Sequence, residues 1–322
     1  MTESGMRIAA DIGGTNARFA LVDAAGELDE VRVLAVADHG SAAAALDAYR
    51  RACGGPAITA ACLAVAGPVA GDRAELTNAG WAFDAQELAA ALGAPVRLVN
   101  DFHAQAAGLP GLDAGNVESY GGGAPGAGLR LVLGPGTGMG VAAWLPPLPG
   151  GSRRGTVIPT ETGHTDAAAG DALEFELLGV LRGRFDRVSY EHVLNGAGLA
   201  YLYWAMAQVW GVDDPALEQI QPADVTRRGL QEEEPMALHT LEVYANWLGC
   251  FAGNLALTFL PRGGVFLTGA MAARLAPILA RGGYRRRFEE RPPLDALVRS
   301  IPTARITQLD FGLHGAALCL PE

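Results

Sequence analysis

Asp11-Ile12-Gly13-Gly14-Thr15-Asn16 and, further along the chain, Gly134-Pro135-Gly136-Thr137-Gly138-Met139-Gly140 are the stretches whose reading decides the fold. Each lies between two β-type runs: residues 7–10 and 18–22 around the first, 129–133 and 141–145 around the second. Glycine lets a backbone approach an anion closely, and successive N–H groups in such a turn form a concave anion site. The threonine hydroxyls add donors. One glycine-rich turn between strands is ordinarily just a turn. Two of matching composition, each after an apolar strand, point to a polyphosphate gripped from both sides, and so to a nucleotide-binding phosphotransferase. No GxxxxGK[ST] run occurs, which excludes a P-loop, and neither stretch is a GxGxxG opening a helix, which argues against a dinucleotide-binding crossover.

Outward from the first loop, the pattern predicts strands over 6–12, 17–23, 30–37, 58–66 and 95–100, with helices over 41–52 and 85–92. The second helix has Asp84 as N-cap, Glu87 three residues on and Gly93 as its C-terminal glycine. An antiparallel opening followed by alternating strands and helices gives a mixed sheet flanked by helices. The glycine- and proline-rich stretch 108–128 is the candidate domain junction. After the second hairpin come a polar loop through Pro159, long helices over 171–182, 191–210 and 236–260, and the short buried strand Gly264-Val265-Phe266-Leu267. A helix starting near Ala272 and a last strand over 304–309 precede the run Gly312-Leu313-His314-Gly315.

At 322 residues, 50% hydrophobic and 18% charged, the chain has room for two domains with separate cores. A formal net charge of −11 disfavours nucleic acid and anionic membrane surfaces as partners. The basic cluster Arg285-Arg286-Arg287 reads as a solvated face. Cys53, Cys62, Cys250 and Cys319 are scattered without a CxxC pair, as expected of reduced thiols in a cytoplasmic protein and not of a zinc site. The first residues carry no apolar segment of a secretory signal, and no uncharged run is long enough to span a bilayer.

Several further motifs complete the pattern. Leu98-Val99-Asn100-Asp101-Phe102 ends an apolar run, where open α/β sheets present their ligands. A carboxylate fixed there suits a base for a hydroxyl under phosphorylation, and Asp101 also reads as an N-cap for a helix over 102–108. Glu161-Thr162-Gly163-His164, Ser189-Tyr190-Glu191-His192 and Leu76-Thr77-Asn78-Ala79-Gly80-Trp81 add polar groups suited to hydroxyls. Asn78 serves equally as a loop cap, and Trp81 is left without an assignment. An acidic Asp11 beside a phosphate loop makes sense if a cation intervenes; otherwise it caps the turn. Arg18 either neutralises phosphate charge or is an exposed strand arginine.

In these motifs and their order the chain resembles the bacterial glucokinases of the hexokinase type, within the actin-like ATPase superfamily, over nearly its whole length. Asp11–Asn16, the 134–140 loop and the 263–270 strand are similar to that superfamily's phosphate-1, phosphate-2 and adenosine motifs. The resemblance implies an α/β fold of two ribonuclease H-like domains, each a mixed sheet flanked by helices, with the active site in the cleft between them. The smaller domain is expected over 1–110 plus 303–322 and the larger over 111–302. The implied activity is ATP-dependent phosphorylation of D-glucose at its 6-hydroxyl, the entry step of glycolysis, with Asp101 as the catalytic base. Asn78, Asn100, Asp101, Glu161, His164 and Glu191 would bind glucose. Asp11, Gly13, Gly14, Thr15, Asn16, Gly136, Thr137, Gly138, Gly269 and Ala270 would bind ATP, with Asp11 holding Mg²⁺ through water. The related repressor/open-reading-frame/kinase family has a cysteine-rich zinc motif after its sugar-binding histidine; none follows His164. Thr162 stands where many members have glycine. Relatives suggest a homodimer. Alternatives are a kinase for another hexose or amino sugar, and a non-enzymatic nucleotide switch on the same fold.

Overall fold

Alternating burial along the first strand sets up the first sheet. In the computed structural model, which describes residues 5–76, 80–150 and 154–321, β1 (Met6–Ile12) sends Ile8, Ala10 and Ile12 into one hydrophobic cluster and Ala9 into another. That is the two-residue period of a strand buried on both faces. β2 (Asn16–Val22) returns antiparallel to β1, and β3 (Leu28–Ala35) pairs antiparallel with β2 at the edge. After α1 (Ala42–Ala52), β4 (Ile58–Val65) lies parallel to β1. β5 (Val69–Ala70), β6 (Arg73–Leu76) and β7 (Trp81–Asp84) form a small antiparallel sheet of their own. α2 (Ala85–Leu92) is capped at Asp84 and stopped by Gly93, whose φ is 74°. β8 (Val96–Asn100) then joins β4 in parallel and runs directly into α3 (Asp101–Gly108). The five-stranded order is β3-β2-β1-β4-β8.

The second sheet comprises β9 (Val117–Gly121), β10 (Arg130–Pro135), β11 (Met139–Leu145), β12 (Thr156–Thr160), β13 (Gly264–Leu267) and β14 (Thr303–Ile306), in the order β12-β11-β10-β13-β14-β9. β10 and β11 form an antiparallel hairpin, while β10, β13 and β14 run parallel. The helices are α4 (Ala172–Arg182), α5 (Tyr190–Val193), α6 (Gly196–Val209), α7 (Pro222–Leu230), α8 (Pro235–Phe259), α9 (Gly269–Arg274), α10 (Ala276–Leu279), α11 (Gly283–Glu289) and α12 (Asp295–Arg299). α8 starts with Pro235 at its first turn under a Glu234 side-chain cap and ends at left-handed Leu260. Its Gly249 admits the backbone of Tyr284 from α11. Between α4 and α11, Arg287 Nη2 donates to both carboxylate oxygens of buried Glu174, at 3.0 and 2.7 Å. No helix among the described residues is long and apolar enough to cross a membrane.

The chain divides into two compact units, one of Met1–Asp113, Thr156–Ile158 and Gln308–Glu322, the other of Ala114–Gly155 and Pro159–Thr307. The expected return at residue 303 is corrected, because β14 pairs with β13 and β9 in the second sheet. Other expectations also change. The 108–128 junction contains β9, and the polar loop through Pro159 contains β12. The helix expected over 191–210 is two helices, since Asn195 accepts from Gly198 N–H and restarts it as α6. The helix expected near Ala272 begins at Gly269, and the last strand stops at Ile306.

In the first unit the two sheet faces differ. One buries Ile8, Phe19, Tyr49 and Leu63, each contributing roughly 1.5–3 kcal/mol. The other presents Ala9, Ala20, Ala60, Cys62 and Ala64. These small residues let α3 and α13 (Phe311–Leu318) press close, and a Cβ on Gly315 would run into the carbonyl of Ala104.

Candidate active site

The first glycine loop, Gly13-Gly14-Thr15, links β1 to β2, and Gly13 N–H donates to Asn16 O at 2.9 Å. Thr15 and Asn16 are exposed. Strand alternation puts Asp11 on the Ala9 side, the face covered by α3 and α13. Gly312 on α13 is what admits the Asp11 carboxyl, because a Cβ there would collide with Oδ2. Burial pushes the Asp11 carboxyl up, Arg18 pulls it down and Asp310 pushes it up again. Arg18 Nε stands 3.8 Å from Asp310 Oδ1, so this strand arginine has an acidic neighbour.

Asn100 ends β8 and caps α3. Its Oδ1 accepts from Phe102 N–H at 2.9 Å and His103 N–H at 3.3 Å, while its Nδ2 donates to Gly67 O at 3.1 Å. The cap that Asp101 alone was expected to supply therefore belongs to Asn100, whose carbonyl is occupied and whose side chain also hydrogen-bonds the Asp101 carboxyl. Asp101 is the first residue of α3, and its Oδ1 accepts from Phe102 N–H at 3.0 Å. Its carboxyl is pushed up to about 7, by burial first and then by the charge of Asp11, against the lowering effect of the Phe102 hydrogen bond. A carboxyl so poised accepts a proton near neutral pH. Asn78 lies outside the described residues. Trp81 is a core side chain, 4% exposed, whose Nε1 donates to His39 O at 3.1 Å.

The second loop, Gly136-Thr137-Gly138, repeats the construction of the first, with Gly136 N–H donating to Gly138 O at 2.9 Å. No neighbouring heavy atom lies within 4 Å of where a Gly136 Cβ would stand, so the missing side chain bares backbone there. Gly269, at φ 90°, is held against the base of the loop, and a Cβ on it would lie 2.9 Å from Pro135 O. Ala270 beside it is exposed.

Two segments back this loop. Ser189 caps α5 in a reciprocal box with His192, which sets Glu191 in the first turn. Glu191 Oε2 accepts from Met139 N–H at 2.9 Å, and Oε1 lies 3.8 Å from His164 Nδ1. His164 Nε2 is in turn 3.9 Å from Glu161 Oε2. The result is a carboxylate–imidazole–carboxylate row open to solvent, the Glu161 side chain being 84% exposed and that of Glu191 30%. Gly163, between Glu161 and His164, packs against Met139, and a Cβ on it would strike the Met139 carbonyl. Gly312, Gly163 and the Met139 N–H received no role from the sequence. Both glycines stand in quoted motifs, and a glycine inside a helix or turn is itself a signal of close backbone approach.

Two mixed sheets flanked by helices, each carrying a glycine hairpin, make this the actin-like ATPase fold of the sugar kinases. A glucokinase from an Antarctic psychrotroph superposes with a TM-score of 0.84 at 34% identity, covering 98% of both chains. Residues 8–322 match the family model described as glucokinase. The glucokinase of Mesorhizobium japonicum is 39% identical over 311 residues, which cover 95% of this chain and 89% of that protein. That of Paramagnetospirillum magneticum is 41% identical over 307 residues, or 94% of each chain. The chain belongs to the glucokinase family.

Proposed function

We propose that this protein transfers the γ-phosphoryl group of ATP to the 6-hydroxyl of D-glucose, giving glucose 6-phosphate and ADP. The observation that carries the reading is Asp101, a carboxyl at the end of a parallel strand held at about 7 by burial and by Asp11. As the phosphoryl group arrives, the hydroxyl proton passes to an Asp101 oxygen, the new O–P bond forms and the bond to the ADP oxygen breaks. Asn100, beside Asp101, is a further contact for a sugar hydroxyl. Glu161, His164 and Glu191 accept from and donate to other hydroxyls, and such groups reject analogues that leave them unpaired. Asn78 is a further sugar contact. Gly13, Gly14, Thr15 and Asn16, together with Gly136, Thr137 and Gly138, meet the phosphates through N–H and hydroxyl groups, while Gly269 and Ala270 leave room for the adenosine.

The donor set fits Mg²⁺. The charge of Asp11 raises the proton affinity of Asp101, as a neighbouring carboxylate does, and Asp11 is itself raised by burial and by Asp310 against the pull of Arg18. Among the described residues no three His, Cys, Asp or Glu side chains group to cage a metal; Mg²⁺ commonly takes one or two carboxylates together with water and phosphate. Asp11 would hold it, and when bound it neutralises charge on the phosphates. Cytoplasmic location and a homodimer complete the proposal; scattered cysteines and an acidic composition favour the first.

Titration of D-glucose into the purified protein, followed by Mg·ATP turnover on a panel of hexoses, tests the reading. Heat with glucose and turnover selective for it are expected. Turnover on another sugar alone would move the specificity, and ATP binding without turnover on any sugar would replace the enzyme by a switch.

A further inference from the structure

Glu191 faces two ways. One carboxylate oxygen is near His164, but the other is spent on the backbone N–H of Met139, the first residue after the second glycine loop. The same loop is held on its other side by Gly196 N–H, which donates to Gly136 O at 3.0 Å, and Gly163 packs against the Met139 carbonyl. Gly138 is close enough to the carboxylate that a Cβ on it would sit 2.6 Å from Glu191 Oε2. Segments 161–164 and 189–198, which carry the groups aimed at sugar hydroxyls, therefore also form the bed on which the phosphate loop rests. A carboxylate beside an anion-binding loop opposes the anion by charge, so its place there calls for a compensating role.

We infer that Glu191 is a positioning residue for the second phosphate loop as well as a sugar contact, fixing the Gly136–Gly138 backbone through Met139 N–H for nucleotide phosphate. The inference rests on the kinase reading above. It follows by linkage that sugar and nucleotide each strengthen the other's binding, because both act on one carboxylate whose placement each requires.

Calorimetry of ADP binding to sugar-free protein separates this role from a sugar contact. Glu191→Ala removes the acceptor for Met139 N–H, whereas Glu191→Gln keeps an acceptor oxygen and removes only the charge. Glu191→Ala should weaken ADP binding about tenfold, or ~1.4 kcal/mol, while Glu191→Gln binds ADP as tightly as the wild type or more tightly. A residue serving sugar alone would leave ADP affinity unchanged or raised in both variants, and that result would overturn the inference. Wild-type melting temperature in Glu191→Gln shows that the fold persists. If the wild type itself binds neither ADP nor glucose, the kinase reading fails and this inference with it.

Discussion

Asp101→Asn should produce a more stable protein, by an amount that depends on pH. A carboxyl whose folded pKa lies above its unfolded value binds its proton more tightly when folded. Its contribution to stability is therefore full below 3.8 and is lost as pH rises through about 7. The span from 3.8 to about 7, at ~1.36 kcal/mol per pH unit, makes the ionised carboxylate cost the folded state about 4 kcal/mol. Asparagine keeps the shape and can accept from Phe102 N–H as Asp101 Oδ1 does, but carries no charge. The variant should exceed the wild type by about 4 kcal/mol near pH 8.5 and by less than half of that near pH 5. Thermal melts should show a rise of roughly 5–10 °C at the higher pH. The assay is parallel melts and urea titrations of both proteins, without nucleotide or metal, across that range. A variant less stable than the wild type at the higher pH, or a gap that stays constant with pH, would refute burial beside Asp11 as the cause.

Asp101→Ala should lower kcat by about a hundredfold or more while glucose binding persists; near-normal turnover would remove Asp101 from the base role. Glu161→Gln, at an exposed position facing His164, should raise the glucose KM and change kcat little, which steady-state kinetics will show. Arg287→Ala strands the buried carboxylate of Glu174, leaving it the Gly170 N–H donor at 2.6 Å, and should cost about 3–5 kcal/mol in denaturant titration. Chelation with EDTA should abolish turnover and leave the heat of glucose binding intact; turnover that survives chelation would exclude the metal.

Much of the fold was legible because its signals are local. The opening hairpin, α2 with its Asp84 cap and Gly93 stop, and the long apolar α8 all follow from period and capping residues. β9 was not legible: Val117-Glu118-Ser119-Tyr120-Gly121 has no apolar alternation and is a strand by virtue of pairing with β14. β12 escaped because Pro159 reads as a breaker, although proline is tolerated in an edge strand, which β12 is. The break between α5 and α6 was written at Asn195-Gly196, where a cap competes with the helical period. At the site, residue types announced Asp101 and the two loops. The double use of Asn100 as a cap, the Gly312 contact with Asp11 and the hydrogen bond between Glu191 and Met139 depend on elements far apart in sequence.

The small-residue face of the first sheet determines how firmly the two aspartates are spaced. Asp11 rides on β1 and Asp101 on α3. The cluster packed on that face is half alanine, Ala9, Ala20, Ala60, Ala64, Ala104 and Ala316, beside larger side chains such as Val99 and Leu313, with Gly315 bare against the Ala104 carbonyl. A contact built from long side chains can loosen as rotamers exchange, but alanine and glycine have no rotamers to exchange. The carboxyl pair is thus held at a separation set in large part by main chain and methyl contacts. Its electrostatic setting should vary little with temperature, and replacing any alanine on that face by a longer residue should retune both acids together.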